Sequence, residues 1–314
     1  MAMNRANIDY SGQLLQTWLD RTVLENFEPE LRFYDMWKKP AWKPWYNTLA
    51  WTRMNKSLVT PTNATLTEWV TPNSTDLQMT TISLTATQYG LYATITDLLE
   101  DVSPIPMVAE SLKILWQNMA RIIDGVIQDS LATNGTNVIY AWGAANRAAI
   151  AQSSSYYMVP ELLAQANAFL STKAAPTFGN SYVAVMHPNV IYDVMTGSST
   201  GAFLDLAKYT ESGRGQILKG EIGMLYNVRV IKSAYIQTFA STTTVYPTYI
   251  MWEGAYGVAD LQSLRTYLTP ATASDSDPLA QRRKAGCKVA FGTIILQQDA
   301  LVRVETASSL SYTW

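Results

Sequence analysis

Cysteine and histidine each occur once in this chain of 314 residues, as Cys287 and His187. A single thiol excludes an intrachain disulfide and any multi-thiolate zinc site. A single imidazole means that a Ser-His-Asp or Cys-His centre would have to use His187, which sits just before Pro188 with no nucleophile-elbow motif around it. A helix-leading or hydrogen-bonded structural histidine is the preferred reading, and no catalytic residue, metal or cofactor is expected. Charge is also scarce, at 15% of residues, with 23 Lys and Arg against 25 Asp and Glu for a net −2. No basic excess is available to neutralise phosphates, which argues against sequence-reading nucleic-acid binding. No run approaches the ~18 apolar residues that cross a bilayer, so no membrane partner is expected. The opening residues MAMNRANIDYSG have no apolar core, so no secretory leader is expected either.

What is present is apolar. Hydrophobic residues make up 48% of the chain, enough to build real cores. A soluble monomer usually displays more charge than this one, so much of the surface is expected to meet other protein.

The strongest pattern is a long amphipathic helix from Pro104 to about Thr133. Val108, Leu112, Leu115, Met119, Ile122, Ile123, Val126, Ile127 and Leu131 recur at three- and four-residue steps. Ser103 is the expected N-cap with Pro104 in the first helical position, and Asn134-Gly135 is expected to end the helix in a left-handed conformation. At 1.5 Å per residue this is a rod of roughly 45 Å. Asp97, Glu100 and Asp101 precede it and are read as partners of the helix dipole rather than as cation ligands.

Upstream, residues 48–96 read as a β-ribbon. Leu49, Trp51, Arg53 and Asn55 open one side. Ile82, Leu84 and Ala86, then Tyr89, Leu91, Ala93 and Ile95, alternate with a register change near Gln88. A lone ribbon is not stable in water and must lie on another surface. Residues 1–47 read as an arm. Phe27, Phe33, Tyr34, Trp37, Trp42, Trp45 and Tyr46 alternate with Lys38, Lys39 and Lys43 and with prolines. So many rings would not be left wet, and a groove on this subunit or a neighbour is expected to take them.

Residues 141–275 mix helix signals at Pro160–Thr172 and 188–195 with strand signals at Tyr182–Met186, 226–231 and 244–252, an α+β region. A polar loop at 269–278 follows. Strands near 288–296 and 300–305 are expected to pair beside the long helix rather than inside the middle region. Gly215-Gln-Ile-Leu-Lys-Gly220 has the glycine spacing of a phosphate loop but lacks the Lys-Ser/Thr that must follow. Arg282, Arg283 and Lys284 read as a solvated turn or as partners for acidic residues of a neighbour.

Several segments, in order, resemble the major capsid proteins of tailed bacteriophages with the Hong Kong 97 fold. They are Leu66-Thr-Glu-Trp-Val-Thr-Pro72, Gln88-Tyr-Gly90 with Thr96-Asp97, Lys219-Gly-Glu-Ile-Gly223 with Val228-Arg-Val230, Asp277-Pro-Leu-Ala-Gln281, Gly286-Cys-Lys288 and Val302-Arg-Val304. Trp69, Cys287 and the Trp-rich segment 37–51 depart from the pattern.

The resemblance implies an HK97-like α+β fold: an N-terminal arm (1–47), an extended β-ribbon loop (48–96), a peripheral domain with the spine helix (97–140 and 276–314) and an axial domain (141–275). It implies a non-enzymatic structural subunit of pentamers and hexamers in an icosahedral virion enclosing double-stranded DNA, assembled in the host bacterial cytoplasm. A separate scaffolding protein and a portal protein are the implied partners, with little or no trimming of the chain. Trp37, Trp42, Trp45, Trp51, Arg53, Lys56, Glu68 and Trp69 are the expected inter-subunit contacts. Lys56 could in principle form a covalent link, but noncovalent assembly is expected. The alternatives are an encapsulin-like compartment shell, a tail or adhesion component, and a hydrolase built on His187.

Overall fold

The computed structural model describes residues 32–34, 48–54, 66, 68–70, 79–103, 106–177, 179, 181–196, 221–252, 254–273 and 277–310. The strands are β1 (Thr48–Met54), β2 (Met79–Thr85), β3 (Thr87–Thr96), β4 (Val138–Tyr140), β5 (Tyr182–Met186), β6 (Glu221–Leu225), β7 (Val228–Lys232), β8 (Phe239–Ala240), β9 (Thr244–Met251), β10 (Tyr256–Thr269), β11 (Arg282–Ile295) and β12 (Leu301–Thr306). The helices are α1 (Asp97–Val102), α2 (Met107–Asn134), α3 (Pro160–Thr172) and α4 (Pro188–Thr196). The chain divides into two compact units. Unit 1 holds the described residues of 90–117 and 266–287; unit 2 holds those of 29–89, 118–265 and 288–314.

The long helix is α2, 28 residues and about 42 Å of rise. Leu115, Met119, Ile123, Ile127 and Leu131 are buried at four-residue steps, as the periodicity requires. Both ends differ from expectation. Ser103 does not cap α2. It closes the preceding α1, its N–H donating to the Leu99 carbonyl at 3.0 Å. The first bond into α2 is Glu110 N–H to the Pro106 carbonyl; Pro104 lies outside the described residues. At the other end neither Asn134 nor Gly135 takes a positive φ. Gly135 is required instead by close approach: it donates to the Leu131 carbonyl at 3.1 Å, and a Cβ there would lie 2.5 Å from that oxygen. The acidic residues ahead of α2 form α1 itself, with Asp97 and Glu100 in its first turn.

In unit 1, Arg282 and Arg283 begin strand β11 rather than a turn, and their partners are in the same chain. Arg283 Nη1 lies 2.8 Å from Glu100 Oε1, and Arg282 Nε lies 3.8 Å from Asp277 Oδ2. In each pair the arginine is about half exposed, so neither contributes much to stability.

Unit 2 is built around a seven-stranded sheet, ordered β4-β12-β9-β5-β7-β6 with β8 beside β9. β12 runs antiparallel to β9, with Leu301 opposite Met251, and parallel to β4. The last strand therefore pairs inside the sheet that the middle region's β9 belongs to, rather than outside it as expected. Its six residues are all buried, so it needs a neighbour on each edge and a cover on each face, as a central position supplies. Leu162, Leu163, Ala166 and Leu170 of α3 join Val190 and Val194 of α4 in one core with Ala184, Met186, Ile250, Val302 and Val304. Pro160 in the first turn of α3 fits the position where its missing N–H costs nothing. Tyr226 and Asn227 are not strand: both have positive φ and make the two-residue turn between β6 and β7, with Leu225 opposite Val228.

β1 and β2 form the expected antiparallel ribbon, with the apolar pairs Leu49–Leu84 and Trp51–Ile82 opposite one another. Its root rests on its own unit through Leu84, Ala259, Leu49, Trp51 and Ile294. Gly292 permits that approach, since a Cβ there would come 2.8 Å from the Thr85 carbonyl oxygen. Past the register break at Ala86, Tyr89, Leu91, Ala93 and Ile95 turn inward on β3 as the alternation requires. β3 joins β10 and β11 in a three-stranded sheet, ordered β10-β11-β3.

Candidate interaction surfaces

Trp37, Trp42, Trp45 and Lys56 lie outside the described residues, as do the glycines of the 215–220 segment and most of the arm. The four remaining candidates divide into two pairs. Trp51 is half-buried against the root of the ribbon in its own chain. Arg53 is exposed, but its Nη1 donates to the Leu296 carbonyl of the same chain at 3.2 Å. Glu68 and Trp69 sit in a turn between β1 and β2, where the chain meets solvent. Trp69 is 97% exposed and has φ +69°, a conformation that a bulky side chain rarely adopts. Leu66 and Val70 beside it are exposed as well, and so are Met54 and Met79 at the end of the ribbon. The Trp69 indole therefore buries almost none of its apolar surface within the chain.

Unit 1 carries a second set of exposed apolar residues. Leu98 and Val102 project from α1, with Tyr92 on β3 and Leu279 also exposed. Scattered singly such residues are ordinary, but their number here fits the scarcity of charge in the composition.

Two buried polar clusters in unit 2 escaped the sequence reading. The first joins Arg147, Glu305 and Arg303. Glu305 takes two bonds from Arg147, Nε at 2.7 Å and Nη2 at 2.6 Å, while Arg303 Nε lies 2.8 Å from Oε1. The Arg147 guanidinium carbon also lies over the Phe239 ring, 3.7 Å from its centroid. The second centres on Asp124 and Gln128 of α2. Both are buried on the flank of the apolar stripe. The available signal was position: Asp124 follows Ile123 and Gln128 follows Ile127, so both edge the buried face.

His187 is placed as the N-cap of α4. Its carbonyl accepts the Ile191 N–H at 3.1 Å, its Nδ1 accepts the Asn189 N–H at 3.2 Å, and its ring packs on Tyr246 with centroids 4.9 Å apart. Burial pulls its pKa down from 6.5 to about 4, so the ring is neutral at pH 7 with its Nδ1 lone pair committed to the helix. A folded pKa below the unfolded one gives stability that is full above about pH 6.5 and lost as pH falls toward 4. Because the ring is partly exposed, the loss is expected to be on the order of 1–2 kcal/mol. His187→Asn keeps a capping side chain without a titrating ring. Urea unfolding at pH 7 and pH 4.5 should show a steeper acid loss for the wild-type chain than for the Asn variant. Equal losses would remove this role.

Among the described residues no group of three or more His, Cys, Asp or Glu side chains converges as a metal site, and no helix is long and apolar enough to cross a membrane.

No protein-family model matches the chain, and no curated protein matches it in sequence. Solved structures do match over almost its full length. A capsid chain of Ralstonia phage GP4 superimposes with a TM-score of 0.75 at 14% identity, covering 98% of this chain and 99% of that one. A chain of the head of Helicobacter pylori bacteriophage KHP40 gives 0.73 at 11% identity, covering 98% and 99%. A chain of the capsid of cyanophage Pam1 gives 0.72 at 12% identity, covering 98% of both. The chain therefore has the mixed α+β fold of these phage capsid chains, the HK97-like fold that the ordered sequence segments implied.

Proposed function

We propose that this chain is a major capsid subunit, a structural and non-enzymatic tile that assembles with copies of itself into the pentamers and hexamers of an icosahedral phage head around double-stranded DNA. The observation that carries this reading is full-length likeness in both directions to phage capsid chains, with ribbon, long helix and seven-stranded sheet in one polypeptide. In this reading residues 1–47 are the arm and 48–96 the extended loop. Residues 97–140 with 276–314 are the peripheral domain, whose last strand crosses back into the sheet of the axial domain, 141–275. Trp69 and Glu68 meet a neighbouring subunit, with Arg53 and Trp51 setting the base of the loop. The aromatic arm residues Trp37, Trp42 and Trp45, and Lys56, contribute further contacts, all noncovalent. A scaffolding protein guides assembly, and a portal protein and the packaged genome complete the virion, built in the host bacterial cytoplasm. The weak net charge suits a container that holds duplex DNA without binding it tightly.

Sedimentation of the chain expressed with its scaffold tests this. Capsomer rings or megadalton particles are expected. A stable 34.9-kDa species alone would contradict the proposal.

A further inference from the structure

We propose that unit 2 carries a peptide-docking site for residues 32–34, a separable latch whose bent backbone grips the Asp124 carboxyl group while the Phe33 ring is buried edge-on against Tyr249. The segment belongs to no helix or strand, so it is held by side chains of other elements. The Phe33 N–H donates to Asp124 Oδ1 at 3.0 Å, and the Arg32 and Tyr34 N–H groups also act on that carboxylate. Three successive N–H groups turned onto one anion make a nest. The Phe33 carbonyl accepts from the Tyr256 hydroxyl at 2.8 Å, and the Tyr34 hydroxyl donates to Asp260 Oδ2 at 2.6 Å. The Phe33 ring is wholly buried, edge-on to Tyr249 with centroids 5.6 Å apart.

The receiving side is fixed independently of the segment. Gln128 Nε2 donates to Asp124 Oδ2 at 3.1 Å and to the Tyr235 carbonyl at 3.0 Å, and its Oε1 accepts the Gln237 N–H at 2.8 Å. The charged and titratable groups facing the carboxylate are the Arg32 guanidinium, which favours its ionised form, and the Tyr256 hydroxyl, which burial keeps protonated as a donor. Burial itself pushes the Asp124 pKa up, and the segment's N–H groups pull it back. Docking and ionisation therefore favour one another, and a neutral Asp124 loses the charge that the nest was shaped to hold.

Hydrogen exchange on the full-length chain tests this. In Phe33→Ala and in Asp124→Asn, exchange at amides 32–34 should rise at least tenfold while β9 and β12 stay within about twofold of wild type. A synthetic peptide of residues 29–37 should restore protection around Tyr256 in the Phe33→Ala chain. The wild-type chain moved from pH 7 to pH 4, after correction for intrinsic rates, should release amides 32–34 selectively, which needs no variant to fold. Parallel loss of protection in β9 and β12 would make Phe33 an ordinary core residue and overturn the latch. Unchanged protection at 32–34 in the Asp124→Asn chain, or in acid, would overturn the role of the carboxylate.

Discussion

Glu305→Gln is expected to destabilise the folded chain by about 3–5 kcal/mol, the usual cost of leaving buried charge without its partner. The substitution keeps the shape of the side chain, removes its charge and turns one acceptor oxygen into an NH2 donor that faces the guanidinium N–H groups. Glu305 is fully buried on β12, and it is the anion between two guanidinium groups, Arg147 at 2.6 Å and Arg303 at 2.8 Å. The Arg303 side chain is itself buried, and its Nη1 also donates to the Ala132 carbonyl at 2.5 Å and the Leu131 carbonyl at 3.4 Å, which are among the last carbonyls of α2. Those carbonyls lie at the negative end of the helix dipole, where intrahelical partners run out; Leu131 also accepts from Gly135. One carboxylate thus orients the cation that closes the long helix and ties Arg147, beyond β4, to the centre of the sheet. The urea midpoint of the variant should fall with its slope unchanged. A loss below about 1 kcal/mol would mean that water reaches the cluster. Replacing all three charged residues with apolar ones of similar volume should recover part of the loss, because the pair's own desolvation cost then disappears.

Trp69→Ala should leave the isolated chain almost untouched and cripple its assembly. At 97% exposure the indole has little to lose on unfolding, so a change within about 0.5 kcal/mol is expected in urea. Buried against a second copy, the ring would remove ~200 Å² from water, worth at most ~5 kcal/mol at ~25 cal/mol/Å². Ordering costs reduce this, so about 3–4 kcal/mol per contact remains, or roughly a 10²–10³-fold change in each association constant. Closed symmetry repeats the contact many times, so the yield of large particles should fall to near zero. Normal particle yield from the variant would place the subunit contact elsewhere on the chain.

The parts of this molecule that were legible in sequence are those where one physical rule acts locally. The stripe of α2 follows helical spacing, α3 begins at a proline that only a first turn accommodates, and β5 is a short apolar run between loops. The alternation of β3 announced its buried face. Where rules compete, the reading failed. β10 went unnoticed because its burial does not alternate: Tyr256 to Ala259 are all buried and Ser263 to Thr269 are all exposed. α1 is too short for periodicity to show, so its acidic residues looked like a prelude to the next helix. The place of β12 is not legible because pairing with β9, from Leu301 opposite Met251 to Thr306 opposite Tyr246, leaves no local mark. The Arg147–Glu305 bond spans 158 positions, and Phe33 reaches Asp124 across 91. Neither charged cluster can be assembled without the fold, although Val302-Arg-Val304 is among the segments that carry the family resemblance. Trp69 is one of eight candidate contacts and one of several departures from the family pattern; its exposure and positive φ have no signature in the sequence.

Electron micrographs of the fast-sedimenting material from cells making the chain with its scaffold would test the central claim most directly. Closed icosahedral shells of uniform diameter are predicted, with the β1–β2 ribbon of each subunit lying against another copy. Tubes, amorphous aggregate, or a field of isolated single subunits would contradict it.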